Sequence, residues 1–278
     1  MGGSAAGAEV VQVARCASIP GLELITIHNS ARLWTVFHTS FDFCTTFGTA
    51  PGVPWTYRCE EHYLTRNSVG LLEPGELHRV PNVREATEYA VLLVERGALC
   101  RLCGDDRRDL HWRFGQVESP SLASCLRSLW TRIARPDHGA LEFELVVADF
   151  LKRLIAMSAE PAAHPLPAVC PRAARRAREF LTESFAADLT FAQYAEQIGI
   201  SASHLHRSFR AEYGITPHQY RMYVRISRAR DLLRGGISIA DTAALAGFTD
   251  QAHMTTSFRR HFGVTPGTYA VSCGAGKR

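Results

Sequence analysis

Ile239-Ala-Asp-Thr-Ala-Ala-Leu-Ala-Gly-Phe-Thr-Asp-Gln251, running on through Phe258-Arg-Arg-His-Phe-Gly-Val-Thr-Pro266, belongs to the second copy of a unit that this chain spells twice. The copies are Leu189–Tyr220 and Ile237–Tyr269. Phe191, Ala195 and Gly199 recur 48 positions later as Ile239, Ala243 and Gly247. Leu205, Phe209, Gly214, Thr216, Pro217 and Tyr220 recur at a spacing of 49 as Met254, Phe258, Gly263, Thr265, Pro266 and Tyr269. One extra residue just after the second glycine accounts for the change. Self-similarity at such a period marks repeated supersecondary units.

Each copy opens with a capping box, Thr190-Phe-Ala-Gln193 and Ser238-Ile-Ala-Asp241, with Asp a weaker substitute for Glu or Gln. A short helix follows, stopped at Gly199 or Gly247. A second helix then starts near Ala202 or Asp250 and buries Leu205 and Phe209, or Met254 and Phe258, which lie four apart on one face. This is a helix-turn-helix, whose second helix is the one that enters a DNA major groove. Helical spacing turns Ser203, His206, Arg207 and Arg210 outward in the first copy. In the second it exposes Gln251, Ala252, Thr255 and Thr256, with Arg259 and Arg260 further along.

Between the copies, Pro217 suits a first helical turn, and Gln219–Arg234 runs without Gly or Pro until Gly235-Gly236. Roughly 18 residues at about 1.5 Å each make a strut of about 27 Å. Successive major-groove entries on one DNA face lie about 34 Å apart. A strut of this size can hold two recognition helices in adjacent grooves. The plainer alternative, a helical bundle with one long central helix, is opposed by charge. From Cys170 to Arg278 there are 15 basic and 8 acidic residues, a net of +7, whereas the whole chain carries only +4. The basic residues are nearly all Arg, with Lys only at Lys152 and Lys277. Such asymmetry suggests that the C-terminal part meets a polyanion.

Over about Arg172–Ala270 these residues resemble the AraC family of bacterial transcription regulators. Beside the stretch quoted first, Tyr220-Arg221 with Arg225, Ala229 and Leu232-Leu233 resembles the family's linking helix. The resemblance implies a sequence-specific activator or repressor of double-stranded DNA, meeting RNA polymerase if an activator, with an N-terminal sensing and dimerising domain. Thr256 sits where the family's second recognition helix often carries Arg, and Ala270 follows Tyr269 where Arg is usual. Both departures point to weaker contacts from the second unit.

The expected fold class is α+β in two domains: a β-barrel or cupin-like domain with two helices, then an all-α domain of two helix-turn-helix units. The boundaries read as a flexible N-terminus over 1–17, an effector and dimerisation domain over 18–158, a linker over 159–171 and the DNA-binding domain over 172–278. Leu22–His28, Leu33–His38, Trp55–Tyr57, Asn67–Leu72 and Glu88–Glu95 read as strands, and their spacing fits a sandwich or barrel. Val69-Gly-Leu-Leu-Glu-Pro-Gly-Glu-Leu-His78 resembles the Pro-Gly turn and following strand of a cupin-type sensing domain.

Ser119–Ala134 and Asp137–Met157 read as helices. The stripe Leu141, Leu145, Ala148, Leu151, Ile155 on the second reads either as a homodimer seam or as packing against the domain. The stretch from Glu160 to Pro171 is a proline-rich, semi-rigid tether.

Trp55, Tyr57, Arg58 and His78 are candidates to line a small-molecule effector site, since barrel mouths combine apolar walls with a few polar anchors. His62 and His78 with Glu60 or Glu61 could hold a metal, as in catalytic cupins. The closely spaced His-x-His that opens that family's metal motif is missing, so no metal, cofactor or catalytic residue is assigned. Eight cysteines without a leader segment read as reduced thiols. Cys100 and Cys103 form the one close pair, with His111 the nearest extra ligand, and core packing is their default role. With no signal peptide and no apolar run of about 20 residues, a cytoplasmic protein is expected. Two other readings compete: a metal-dependent cupin enzyme fused to a DNA-binding module, and a regulator whose N-terminal domain only dimerises or binds a protein.

Overall fold

A computed structural model describes residues 9–30, 35–48, 52–57, 60–80, 86–104, 110–133, 139–161, 172–186 and 190–272. The chain divides into two compact units, 1–163 and 164–278. The first holds strands β1 (Val10–Arg15), β2 (Leu22–Ser30), β3 (Thr35–Phe37), β4 (Phe41–Thr46), β5 (Val53–Tyr57), β6 (Glu60–Leu64), β7 (Ser68–Leu72), β8 (Leu77–Arg79) and β9 (Thr87–Val94). Helix α1 (Arg96–Cys103), β10 (Leu110–Trp112), β11 (Gln116–Glu118), α2 (Pro120–Ile133), α3 (Ala140–Ser158) and β12 (Ala159–Pro161) complete it.

An antiparallel sheet in the order β1-β2-β9-β4-β7-β11 forms the middle layer of this unit, and a second sheet, β3-β8-β5-β6, covers one of its faces. The middle sheet is buried on both sides, which is why β7 is buried at every position. Phe41 and Phe43 of β4 look toward the helices, where each packs edge-on against Trp112 and Phe43 also meets Phe150 of α3. The other face of β4 turns Cys44 toward Trp55, Tyr57, Leu64 and Tyr89, which fill the space between the sheets. Gly70 of β7 is required there, because a Cβ would sit 2.7 Å from Cys44 Sγ.

Three differences from the sequence reading have physical causes. The expected barrel is not closed among the described residues; two sheets face each other as an open sandwich. Val10–Arg15, expected to be flexible, pairs with β2 along its whole length, fastened by Arg15 to the buried Glu23 at 3.1 Å. A short strand that follows a Gly- and Ala-rich stretch carries little sequence signal of its own. The third is α1, a short helix containing Gly97 and lacking a side-chain cap, so its only sequence marker was Gly104 in the left-handed conformation at its end. Leu33, at the start of an expected strand, and Arg58 lie outside the described residues.

The second unit is helical: α4 (Arg172–Glu183), α5 (Phe191–Gln197), α6 (Ala202–Tyr213), α7 (Pro217–Arg234), α8 (Ile239–Leu245), α9 (Gln251–Phe262) and α10 (Pro266–Ser272). Leu189, where the first copy of the repeat was begun, lies outside the described residues. The repeat survives in three dimensions. Phe209 meets Tyr220 edge-on at 5.5 Å, and their counterparts Phe258 and Tyr269 do the same at 5.5 Å. Such aromatic pairs contribute about 0.5–1.5 kcal/mol each beyond their burial.

Candidate nucleic-acid interface

Thr190 accepts from the Gln193 amide while the Gln193 side chain answers the Thr190 amide, so the capping box before α5 is complete. Thr216 and Gln219 make a second complete box before α7, with Pro217 at its first position. Ser238 caps α8 through the Asp241 amide, but Asp241 is one methylene too short to reach back and takes the Ser238 hydroxyl instead, at 2.6 Å. Gly199 and Gly247 end α5 and α8 with φ of +71° and +77°. At Gly247 a side chain would also press on Ala186 at 3.1 Å and Arg225 at 3.2 Å. The turn that follows each glycine aims α6 and α9.

Leu205 and Phe209 of α6, and Met254 and Phe258 of α9, are fully buried. That fixes the outward faces. Ser203, His206, Arg207 and Arg210 are exposed on α6, as are Gln251, Ala252, Thr256, Arg259 and Arg260 on α9; Thr255 is partly covered. Helix α7 packs against α4, α6, α8, α9 and α10, so one helix belongs to both helix-turn-helix cores. Sequence reading missed its anchor: Arg230 is 1% exposed, paired with Asp231 at 3.2 Å and lying over the Phe262 ring at 5.9 Å. Its place on the inner face of α7, beside Leu233 and Ile226, was the available signal.

In the first unit the structure brings Trp55, Tyr57 and His78 together. Trp55 stacks on Tyr57 at 5.8 Å, lies edge-on to His78 at 6.4 Å and contacts the His62 ring at 4.8 Å. Trp55 and Tyr57 fill the interior, with the partly covered His62 and His78 at its edge. The Trp55 indole donates to Gln116 at 3.2 Å, and the Glu73 amide donates to the Tyr57 hydroxyl at 3.4 Å. Burial pulls the His78 imidazole down to about 4, against the opposing pull of Asp42.

Toward the other end of the same space a cleft of about 410 Å³ opens between Asn29, Thr46, Phe47, Val53, Leu64, Thr87 and Glu88. Asn29 has a φ of +58°, within the register shift between Ile27 and Ser30. An asparagine just after the β-branched run Ile25-Thr26-Ile27 was the sequence signal for that bulge. The set weighed from sequence and left unassigned, His62 and His78 with Glu60 or Glu61, does not come together: His62 faces Glu60 at 3.9 Å, while His78 faces Asp42 and His38. Cys100 and Cys103 sit one turn apart on α1, Cys103 against the core, and His111 turns away to Glu73 at 2.8 Å.

The fold and this interface define a two-unit α+β protein whose second unit is a tandem helix-turn-helix. A helix-turn-helix domain family matches residues 194–271. The uncharacterised HTH-type transcriptional regulator YbfI of Bacillus subtilis is 44% identical over 76 residues, 27% of this chain and 28% of the relative. The HTH-type transcriptional activator RhaS of Escherichia coli is 38% identical over 77 residues, again 27% and 28%. The matched stretch thus spans 28% of the length of these curated relatives. Apo ToxT from Vibrio cholerae shares the fold, with a TM-score of 0.52 at 14% identity over 91% of this chain and 98% of that one. The C-terminal unit is an AraC-type helix-turn-helix domain. No described helix is long and apolar enough to cross a membrane.

Proposed function

We propose that the chain is a sequence-specific DNA-binding transcription regulator whose N-terminal unit receives a small-molecule signal and forms a homodimer. The observation that carries this reading is the pair of exposed recognition faces, on α6 and α9, held on one shared helix within a segment of net charge +7. Arg207 offers bidentate pairing to guanine and His206 a donor or acceptor at a base edge; Gln251 suits adenine. Arg259 and Arg260 suit phosphate, which positions without specifying. The cleft supports the effector role, because its volume lies in the range of small-molecule sites and its lining mixes Phe47, Val53 and Leu64 with a few polar groups. Leu141 and Leu145 support the dimer, being 68% and 61% exposed on α3. The relatives YbfI and RhaS are named as transcriptional regulators, which supports reading this chain as a regulator rather than an enzyme.

The test is binding of the full chain to a randomised duplex library across a salt series. Counterion release predicts a log–log slope of about −0.9 per phosphate contacted, with selected sequences held well above the background. A slope indistinguishable from zero removes the DNA-binding reading.

A further inference from the structure

We propose that His38, Asp42 and His78 form a binding site for a divalent first-row transition ion of the zinc class, at the end of the inter-sheet space remote from the cleft. Each offers one ligand atom, and all three atoms lie within 4.8 Å of one another. Among the described residues they are the only such group of three or more His, Cys, Asp or Glu.

The topology makes this meeting. β3 belongs to the four-stranded sheet and β4 to the six-stranded one, so His38 stands at the corner where the chain crosses between them. Its carbonyl accepts from the Gly75 amide at 2.8 Å, which ties the corner to the turn before β8. Asp42 is held opposite Leu72 and Leu93 in the six-stranded sheet. His78 is held opposite Val36 and Tyr57 in the other. Three separate backbone anchors therefore position the donors.

The spacing suits a metal. His38 Nε2 lies 3.1 Å from Asp42 Oδ2, and His78 Nε2 lies 4.0 Å from the same oxygen. Tetrahedral zinc with bonds of about 2.0–2.1 Å separates its ligands by about 3.4 Å. The His38–Asp42 pair is already close to that spacing, the His78–Asp42 pair closes by roughly 0.6 Å on rotation of His78, and the two imidazole nitrogens lie within 4.8 Å of each other.

The donor set selects the ion. Two imidazoles and one carboxylate suit Zn²⁺, Co²⁺, Ni²⁺ or Fe²⁺; calcium and magnesium require many oxygens, and Cu⁺ prefers sulfur. Three protein ligands leave a coordination position open for water or a further donor. Bound there, an ion joins the two sheets directly. This inference stands on the first unit alone and is independent of the DNA-binding reading.

Stripping the full chain with a chelator and titrating Co²⁺, followed by visible absorption and by metal analysis after gel filtration, tests it. One Co²⁺ per chain is expected, with ligand-field bands of nitrogen and oxygen ligation, displaced by Zn²⁺, and a thermal midpoint raised by either ion. His78→Gln and Asp42→Asn should each weaken binding by well over tenfold, since loss of even an outer-shell partner costs about 10- to 100-fold. His62→Gln and His111→Gln should bind as wild type. Retained affinity in both ligand variants overturns the proposal, as does a folded wild-type chain that takes up no stoichiometric ion. A thiolate-to-cobalt charge-transfer band overturns it too, by placing the ion on cysteine. Should a ligand variant not fold, the wild-type stoichiometry and spectrum decide alone.

Discussion

Arg207 and Thr256 are the same position in the two copies of the repeat, 49 residues apart, and they offer a base pair very different chemistry. A guanidinium is able to make two parallel hydrogen bonds to guanine; a threonine offers one hydroxyl and a methyl. Arg207→Ala should cost roughly 1–3 kcal/mol of DNA binding and relax preference at one base pair. Thr256→Ala should cost clearly less. Binding across an operator library separates these outcomes: uniform weakening by Arg207→Ala makes it a phosphate contact, and a larger loss at Thr256 reverses the division of labour.

A second prediction at a single residue concerns His78, which faces Asp42 and His38 across the inter-sheet space. Burial lowers its imidazole from 6.5 to about 4. Between those values the unfolded chain binds the proton and the folded chain does not. Stability is therefore fully present above about pH 6.5 and falls as pH drops toward 4. The lost contribution is about 3 kcal/mol, because each tenfold difference in proton affinity between the two states is worth about 1.36 kcal/mol. Urea unfolding with a chelator present, comparing wild type with His78→Gln at pH 7, 5.5 and 4.5, should show this acid loss only in wild type. Parallel curves would remove His78 as its source.

At the scale of the element, α3 resolves a stripe that sequence left open. Leu151 and Ile155 are buried core, Ala148 is partly covered, and Leu141 and Leu145 stand in solvent. The stripe is two surfaces on one helix. Leu141→Glu with Leu145→Glu should give a folded monomer by sedimentation, whereas Leu151→Glu should unfold the unit by burying a charge. A double variant that stays dimeric moves the seam elsewhere. The outward faces of α6 and α9 were legible from sequence because burial of Leu205, Phe209, Met254 and Phe258 follows the helical period. The trio of His38, Asp42 and His78 was not, because no local spacing joins a sheet-crossing corner to a strand 40 residues later. The same limit hid the cleft, whose lining comes from β2, β4, β5, β6 and β9. Trp55 and Tyr57 carried the right face of β5 but the packed part of the space.

For the molecule as a whole, an effector that enters the cleft should raise the thermal midpoint of the full chain and change its operator affinity together. Gly48 also lines the cleft, and Gly48→Leu is the discriminating variant. A Cβ there meets only the Thr46 hydroxyl, at an ordinary 3.5 Å, so the longer side chain blocks the cleft without displacing backbone. Its fold should persist by circular dichroism while both responses to ligand vanish. Ligand shifts that survive in Gly48→Leu would place the effector site outside this cleft.

Helix α7, through its shared place in both helix-turn-helix cores, also decides how the second unit comes apart. A half that lost its own helices would leave the buried Arg230 and the inner face of α7 without their packing, and the other half would lose its wall. Neither half can then melt as a separate foldon. Amide exchange in α6 and α9 should slow and quicken in step, and a cavity cut beneath one reading head should be felt equally in the other.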